Sequence, residues 1–84
     1  MSYQLFIHRS AEKALTAIPK DDHDAVMNAI VELANNPRPH RCKKLVDRDG
    51  WRIRVGSYGV IYEIDDSRRT VTIVKVGHRR DIYL

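Results

Sequence analysis

The stretch Trp51-Arg52-Ile53-Arg54-Val55-Gly56-Ser57-Tyr58-Gly59-Val60-Ile61-Tyr62 decides the fold of this chain. It reads as two strands joined by a tight turn. Side chains alternate along a strand, so Trp51, Ile53 and Val55 share one face of the first. Tyr58, Val60, Tyr62 and Ile64 share one face of the second. Arg52 and Arg54 are thrown to the opposite face. Two arginines held side by side on a rigid hairpin suit a phosphate chain, because the planar guanidinium fork matches phosphate oxygens in pairs.

Upstream, Tyr3-Gln4-Leu5-Phe6-Ile7-His8 is aromatic and β-branched, which predicts a strand. Leu5-Phe6-Ile7 breaks alternation and suggests burial on both faces. Ser10 has the chemistry of a helix N-cap. Ala11, Ala14, Leu15 and Ile18 follow at i, i+3, i+4 and i+7, the stripe of an amphipathic helix that Pro19 should end. A second helix is expected from Asp21 or Asp22, where the acids at 21, 22 and 24 favour the positive end of the helix dipole. Val26, Ala29, Ile30 and Leu33 are its buried stripe, and Asn35-Asn36-Pro37-Arg38-Pro39 its stop. The two helices read as a hairpin laid on one side of a sheet.

Downstream of that stop, His40 to Val46 is basic and can end as a short strand, with Asp47-Arg48-Asp49-Gly50 as turn chemistry. After the central hairpin, Asp65 to Arg69 forms another turn. Val71 to Val76 reads as a central strand, apolar on both faces. Strand, two helices, then three or four strands indicates an α+β fold with a mostly antiparallel sheet.

The chain has 84 residues, which fits one domain over residues 1–84 with a small core. No apolar run approaches the roughly 20 residues of a membrane helix, and no secretory leader is legible. A cytoplasmic protein is therefore expected. Cys42 is the single cysteine, which excludes an internal disulfide and leaves no thiolate metal cluster. Net charge is +4, but residues 1–37 carry −2 and residues 38–84 carry +6. Arginine outnumbers lysine ten to five, with nine of the ten in the second half. This balance fits a polyanion partner, although a small domain can carry such charge as a solvated face.

Arg52 and Arg54 head the candidate cations, and Arg41, Lys43 and Lys44 could extend their patch. Arg79 and Arg80 follow the Val71–Val76 strand, and a loop after a strand end is held still by its scaffold. Tyr83 could stack on a base or move a proton. Of the four histidines, none has metal-like spacing, and His78 alone lies beside the cations as a reserve acid–base group. Clustered acids for a metal-dependent nuclease are missing, and Glu63 and Asp65 read as surface residues.

These features together resemble the RelE-type toxins of the RelE/ParE superfamily of toxin–antitoxin systems. The resemblance rests on the Tyr3–His8 strand, the helical hairpin ending Asn36-Pro37-Arg38-Pro39, Lys44-Leu45, Trp51-Arg52-Ile53-Arg54-Val55-Gly56, Val60 to Asp66, and Val74-Lys75-Val76-Gly77-His78-Arg79-Arg80-Asp81-Ile82-Tyr83. It implies a microbial-ribonuclease-like fold and a ribosome-dependent messenger-RNA endonuclease cutting in the A site. No metal or other cofactor is implied, because the RNA's own 2′-hydroxyl attacks. The implied partners are the ribosome with its mRNA and a RelB-like antitoxin. The implied catalytic positions are Arg52, Arg54, Arg79 and Tyr83, with Arg41, Lys43, Lys44 and Arg80 as RNA-binding neighbours. A neutral tyrosine has a pKa near 10, so Tyr83 would need cationic neighbours to act as a base.

Gly59 departs from the family pattern, which carries an arginine there to touch the scissile phosphate. The resemblance therefore implies attenuated cleavage unless Arg54 or Arg79 compensates. It also leaves open a ParE-like toxin that inhibits DNA gyrase, or an inert module that only binds its antitoxin.

Overall fold

In a computed structural model, which describes residues 2–46 and 48–82, the chain runs β1 (Gln4–Ile7), α1 (Arg9–Thr16), α2 (Lys20–Asn35), β2 (Lys43–Lys44), β3 (Trp51–Val55), β4 (Tyr58–Asp65), β5 (Thr70–His78) and α3 (Arg79–Ile82). The five strands form one sheet in the order β1-β5-β4-β3-β2. The β1–β5 pair is parallel and the other three are antiparallel. This is the expected α+β architecture with a mostly antiparallel sheet. Strand β4 lies in the middle and β5 beside it, between β1 and β4.

The central hairpin is as the alternation requires. Trp51 pairs with Tyr62, Ile53 with Val60, and Val55 with Tyr58. The turn between them is Gly56-Ser57, with Gly56 at φ +61° and Ser57 at negative φ. Positive φ at the first central residue alone is the type II′ pattern, whose twist matches the flanking strands. Helices α1 and α2 cover one face of the sheet. Ala11, Leu15 and Ile18 meet Val26, Ala29, Ile30 and Leu33 over Ile53, Val60, Tyr62, Val71, Ile73 and Val76. Tyr62 is fully buried, and its hydroxyl donates to the Pro37 carbonyl at 2.7 Å. That bond fixes the chain as it leaves α2. Burial pushes the phenol pKa well up, so it stays a donor.

Three local expectations are corrected. His8, not Ser10, is the N-cap of α1, and no side chain caps that helix. Helix α2 starts at Lys20, with Pro19 as its N-cap. Strand β1 is buried on one face only: Gln4 and Phe6 are exposed, while Leu5 and Ile7 are half-buried. It is an edge strand, and the helices cover only one side of it.

Strand β5 contains the feature that shapes the site. Ile61 pairs with Lys75 but Tyr62 pairs with Ile73, so Val74 is an extra residue opposite β4. Such a bulge reverses the facing of everything after it. Val71 and Ile73 face the core before it, and Val76 faces the core after it. Without the bulge, Lys75 would share the face of Val71 and Ile73 and enter the core uncompensated, at a prohibitive cost. With it, Lys75 and Gly77 turn to the open face.

Candidate nucleic-acid interface

On the face away from α1 and α2, cross-strand pairing builds rows of neighbours. One row is Lys75, Ile61, Arg52 and Lys43. The next is Gly77, Gly59 and Arg54. Between β3 and β5 these rows floor a groove of about 630 Å³ lined by Lys43, Lys44, Arg48, Arg52, Arg54 and Lys75, with Leu45, Val46, Ile61 and Ile82. Among the described residues, six cations and no acid line it. Ile61 and Ile82 are buried yet stand outside the main core, forming a small apolar floor beneath the cations. Long basic side chains readily lay their methylene stems on such a floor and keep their heads in water.

The short helix α3 closes one end of the groove. The Arg79 N–H donates to the Ser57 carbonyl at 2.9 Å, tying α3 to the hairpin turn. Ile82 packs over Gly77, where an added Cβ would stand 2.9 Å from its Cγ2. Glycine at 77 is therefore what lets α3 lie on the sheet.

The structure brings together Lys43, Lys44, Arg52 and Arg54 of the residues singled out from sequence. Lys44 also reaches over the edge, with its Nζ 5.4 Å from the Trp51 ring centroid. Arg79 and Arg80 are exposed on α3, and neither they nor Arg41 line the groove. Tyr83 lies outside the described residues. His78 turns away from the groove: it pairs with Tyr58, their ring centroids are 5.8 Å apart, and its Nδ1 accepts from the Arg80 N–H at 3.4 Å.

Two groove cations were missed in the sequence. Lys75 was hidden by the bulge; the Val71-x-Ile73-x-x-Val76 spacing was the available signal. Arg48 was read only as turn chemistry. Among the described residues no group of three His, Cys, Asp or Glu side chains could hold a metal ion. No helix there is long and apolar enough to cross a membrane.

A larger hollow of about 870 Å³ lies at the far end of the sheet and mixes charges. There Arg38 forks onto Asp66 at 3.2 and 2.9 Å, and Tyr3 Oη donates to the same carboxylate at 2.8 Å. Arg38 also lies over Trp51, 5.1 Å from its ring centroid. The Arg38 bond, and next the Tyr3 bond, hold the Asp66 carboxyl below the usual range. These charges satisfy one another, so this end braces the fold, whereas the groove gathers cations from three strands.

A sheet with α1 and α2 on one face and a cation-lined groove on the other defines a small α+β protein suited to a polyanion. The sequence matches the ParE toxins of the type II toxin–antitoxin system parDE over residues 5–83. It is 33% identical to Toxin RelG of Mycobacterium tuberculosis, over 99% of this chain and 98% of that protein. The toxin–antitoxin complex RelBE2 of the same organism contains a chain that superposes with a TM-score of 0.82 at 28% identity, covering 94% of this chain and 100% of that one. The archaeal RelE–RelB complex of Pyrococcus horikoshii gives 0.83 at 29%, covering 94% and 97%. The chain belongs to the RelE/ParE superfamily as a toxin of a type II toxin–antitoxin system.

Proposed function

We propose that this toxin is a metal-independent, ribosome-dependent endoribonuclease that cuts mRNA in the A site and so arrests translation and growth in the cytoplasm. The observation that carries this reading is the groove that joins Arg52, Arg54, Lys43 and Lys75 of one sheet face to Arg48 of the β2–β3 connection. In-line attack by a 2′-hydroxyl forms its bond to phosphorus as the 5′-oxygen leaves, and gives a cyclic phosphate. Negative charge grows on the phosphoryl oxygens, and guanidiniums fixed by strand pairing stabilise it without reorganising. Arg54 is assigned that role, with Arg52 binding the neighbouring phosphate. Arg79 stands at the start of α3 beside the hairpin turn, outside the groove lining, and its role rests on the family resemblance. The proton-transfer role of Tyr83 rests on the family resemblance alone. Arginine stays charged and makes a poor base.

Gly59 is buried between Arg54 and Gly77 on the open face. An arginine there would add a second guanidinium beside Arg54, so this chain is read as an attenuated nuclease. Cleavage of ribosome-bound message tests both statements. Arg54→Ala should slow it by about 10²–10³-fold, the usual loss for one transition-state donor. Gly59→Arg should speed it, and equal rates would remove the attenuation.

A RelB-like antitoxin is the proposed partner, since a cation-rich groove attracts an acidic segment that orders on binding. The complexes of the M. tuberculosis and P. horikoshii relatives support it. The ParE match and Gly59 favour a second reading, gyrase inhibition. Inhibited supercoiling with intact message would establish that one instead. Growth arrest separates both from an inert antitoxin-binding module.

A further inference from the structure

Phe6 is 46% exposed on the outer side of β1, on the same sheet face as the basic groove. Pairing places Phe6 beside Thr72, and Thr72 beside Glu63. Adjacent strands lie about 4.8 Å apart, so Phe6 is roughly 10 Å from Glu63 across the sheet. The surface between the groove and Phe6 is continuous. A recess of about 210 Å³ lined by Arg48, Asp49, Ile61, Glu63 and Val74 shares Arg48 and Ile61 with the groove. The same recess shares Asp49 and Glu63 with the hollow that Phe6 lines.

The bulge residue Val74 floors this passage beside Ile61. Asp49 and Glu63 flank it, so a phosphate is repelled while an uncharged base is admitted. An exposed aromatic ring on an open sheet next to a cationic track suits stacking of an unpaired base.

We propose that Phe6 and Glu63 form a base-recognition subsite for single-stranded RNA whose backbone lies in the Arg52–Arg54 groove. Phe6 stacks on a base one or two nucleotides from the groove. The Glu63 carboxylate, which only accepts hydrogen bonds, selects a base offering an exocyclic amino group and disfavours uracil. The inference deepens the nuclease reading and rests on it.

The test uses the full chain and fluorescein-labelled hexaribonucleotides at low salt, read by anisotropy, with cut-site distributions on ribosome-bound message as a second readout. Phe6→Ala should weaken binding about tenfold, as loss of one stacked base does. Phe6→Trp should retain binding, and an oligonucleotide abasic at the stacked position should bind Phe6→Ala and the unsubstituted chain equally. Glu63→Gln should bring the amino-base preference over uracil to within about twofold, in binding and in cut sites, because an amide both donates and accepts.

If Arg54→Ala abolishes binding and cleavage while Phe6→Ala and Glu63→Gln change neither affinity nor cut-site choice, the subsite is wrong and the nuclease reading stands. If the unsubstituted chain neither binds nor cuts RNA, the nuclease reading fails and takes the subsite with it. If Phe6→Ala weakens a copurifying antitoxin but not RNA, this face is a protein-docking surface and the proposal is overturned.

Discussion

A methyl group at position 77 would stand 2.9 Å from Cγ2 of Ile82, closer than carbon atoms can sit. The intruded atom belongs to a β-branched side chain, stiff at χ1 and unable to swing away cheaply. Either β5 or α3 must yield, and α3 is the weaker element, with four residues anchored by Arg79 N–H and by Ile82. Gly77→Ala is expected to destabilise the fold by about 1–3 kcal/mol, the usual cost of overpacking. Ile82→Ala costs stability on its own, because Ile82 is buried. The double variant should lose less than the sum of the singles, since removing Ile82 makes room for the methyl. Urea midpoints of the four proteins measure this coupling. Strict additivity would mean that α3 is held by something other than the Gly77–Ile82 contact.

At the scale of elements, the link between the chain after α2 and the β4–β5 turn is electrostatic. Asp66 receives Arg38 and Tyr3, and its carboxyl titrates below the unfolded value of about 3.9. A carboxyl whose folded pKa is depressed contributes stability above its unfolded pKa and loses it as pH falls through the folded one. The Tm gap between the unsubstituted protein and Asp66→Asn should be full at neutral pH and close below about pH 4. High salt should also narrow it, because the pair is exposed. A gap unchanged at low pH would assign the effect to packing.

The helices, the central hairpin and the core stripes were legible in the sequence because period 3.6 and period 2 are local signals. The pairing of β1 with β5 was not legible, since nothing local specifies a partner almost seventy residues away. Phe6 was misassigned for the same reason: an apolar triplet looks identical on an edge strand and in a buried one. Lys75 needed the bulge, which is a property of two paired strands. Of the candidate site, the two hairpin arginines and Lys43 and Lys44 were readable, whereas Arg48 and Lys75 required the assembled sheet.

Across the whole molecule, the basic half of the sequence does not spread evenly over the surface. Arg38 is engaged by Asp66, and Arg68 lies near Asp65 at the β4–β5 turn. The groove instead gathers six cations from β2, β3, β5 and the β2–β3 connection, with no acid among the described residues of its lining. Binding of single-stranded RNA to such a surface releases about 0.7 counterion per phosphate neutralised. Full engagement of six cations therefore gives a slope of log affinity against log salt of about −4, and partial engagement a shallower one. Each groove cation removed should flatten that slope by about 0.7. Lys75→Ala is the discriminating substitution, because Lys75 faces the groove only through the Val74 bulge. Arg80→Ala serves as the control, exposed on α3 away from the lining. Anisotropy titrations at several salt concentrations read both. A slope flattened by Lys75→Ala and unmoved by Arg80→Ala would place the RNA backbone in the groove. Equal flattening by the two would show that the chain attracts RNA by net charge alone, with no defined track across the sheet.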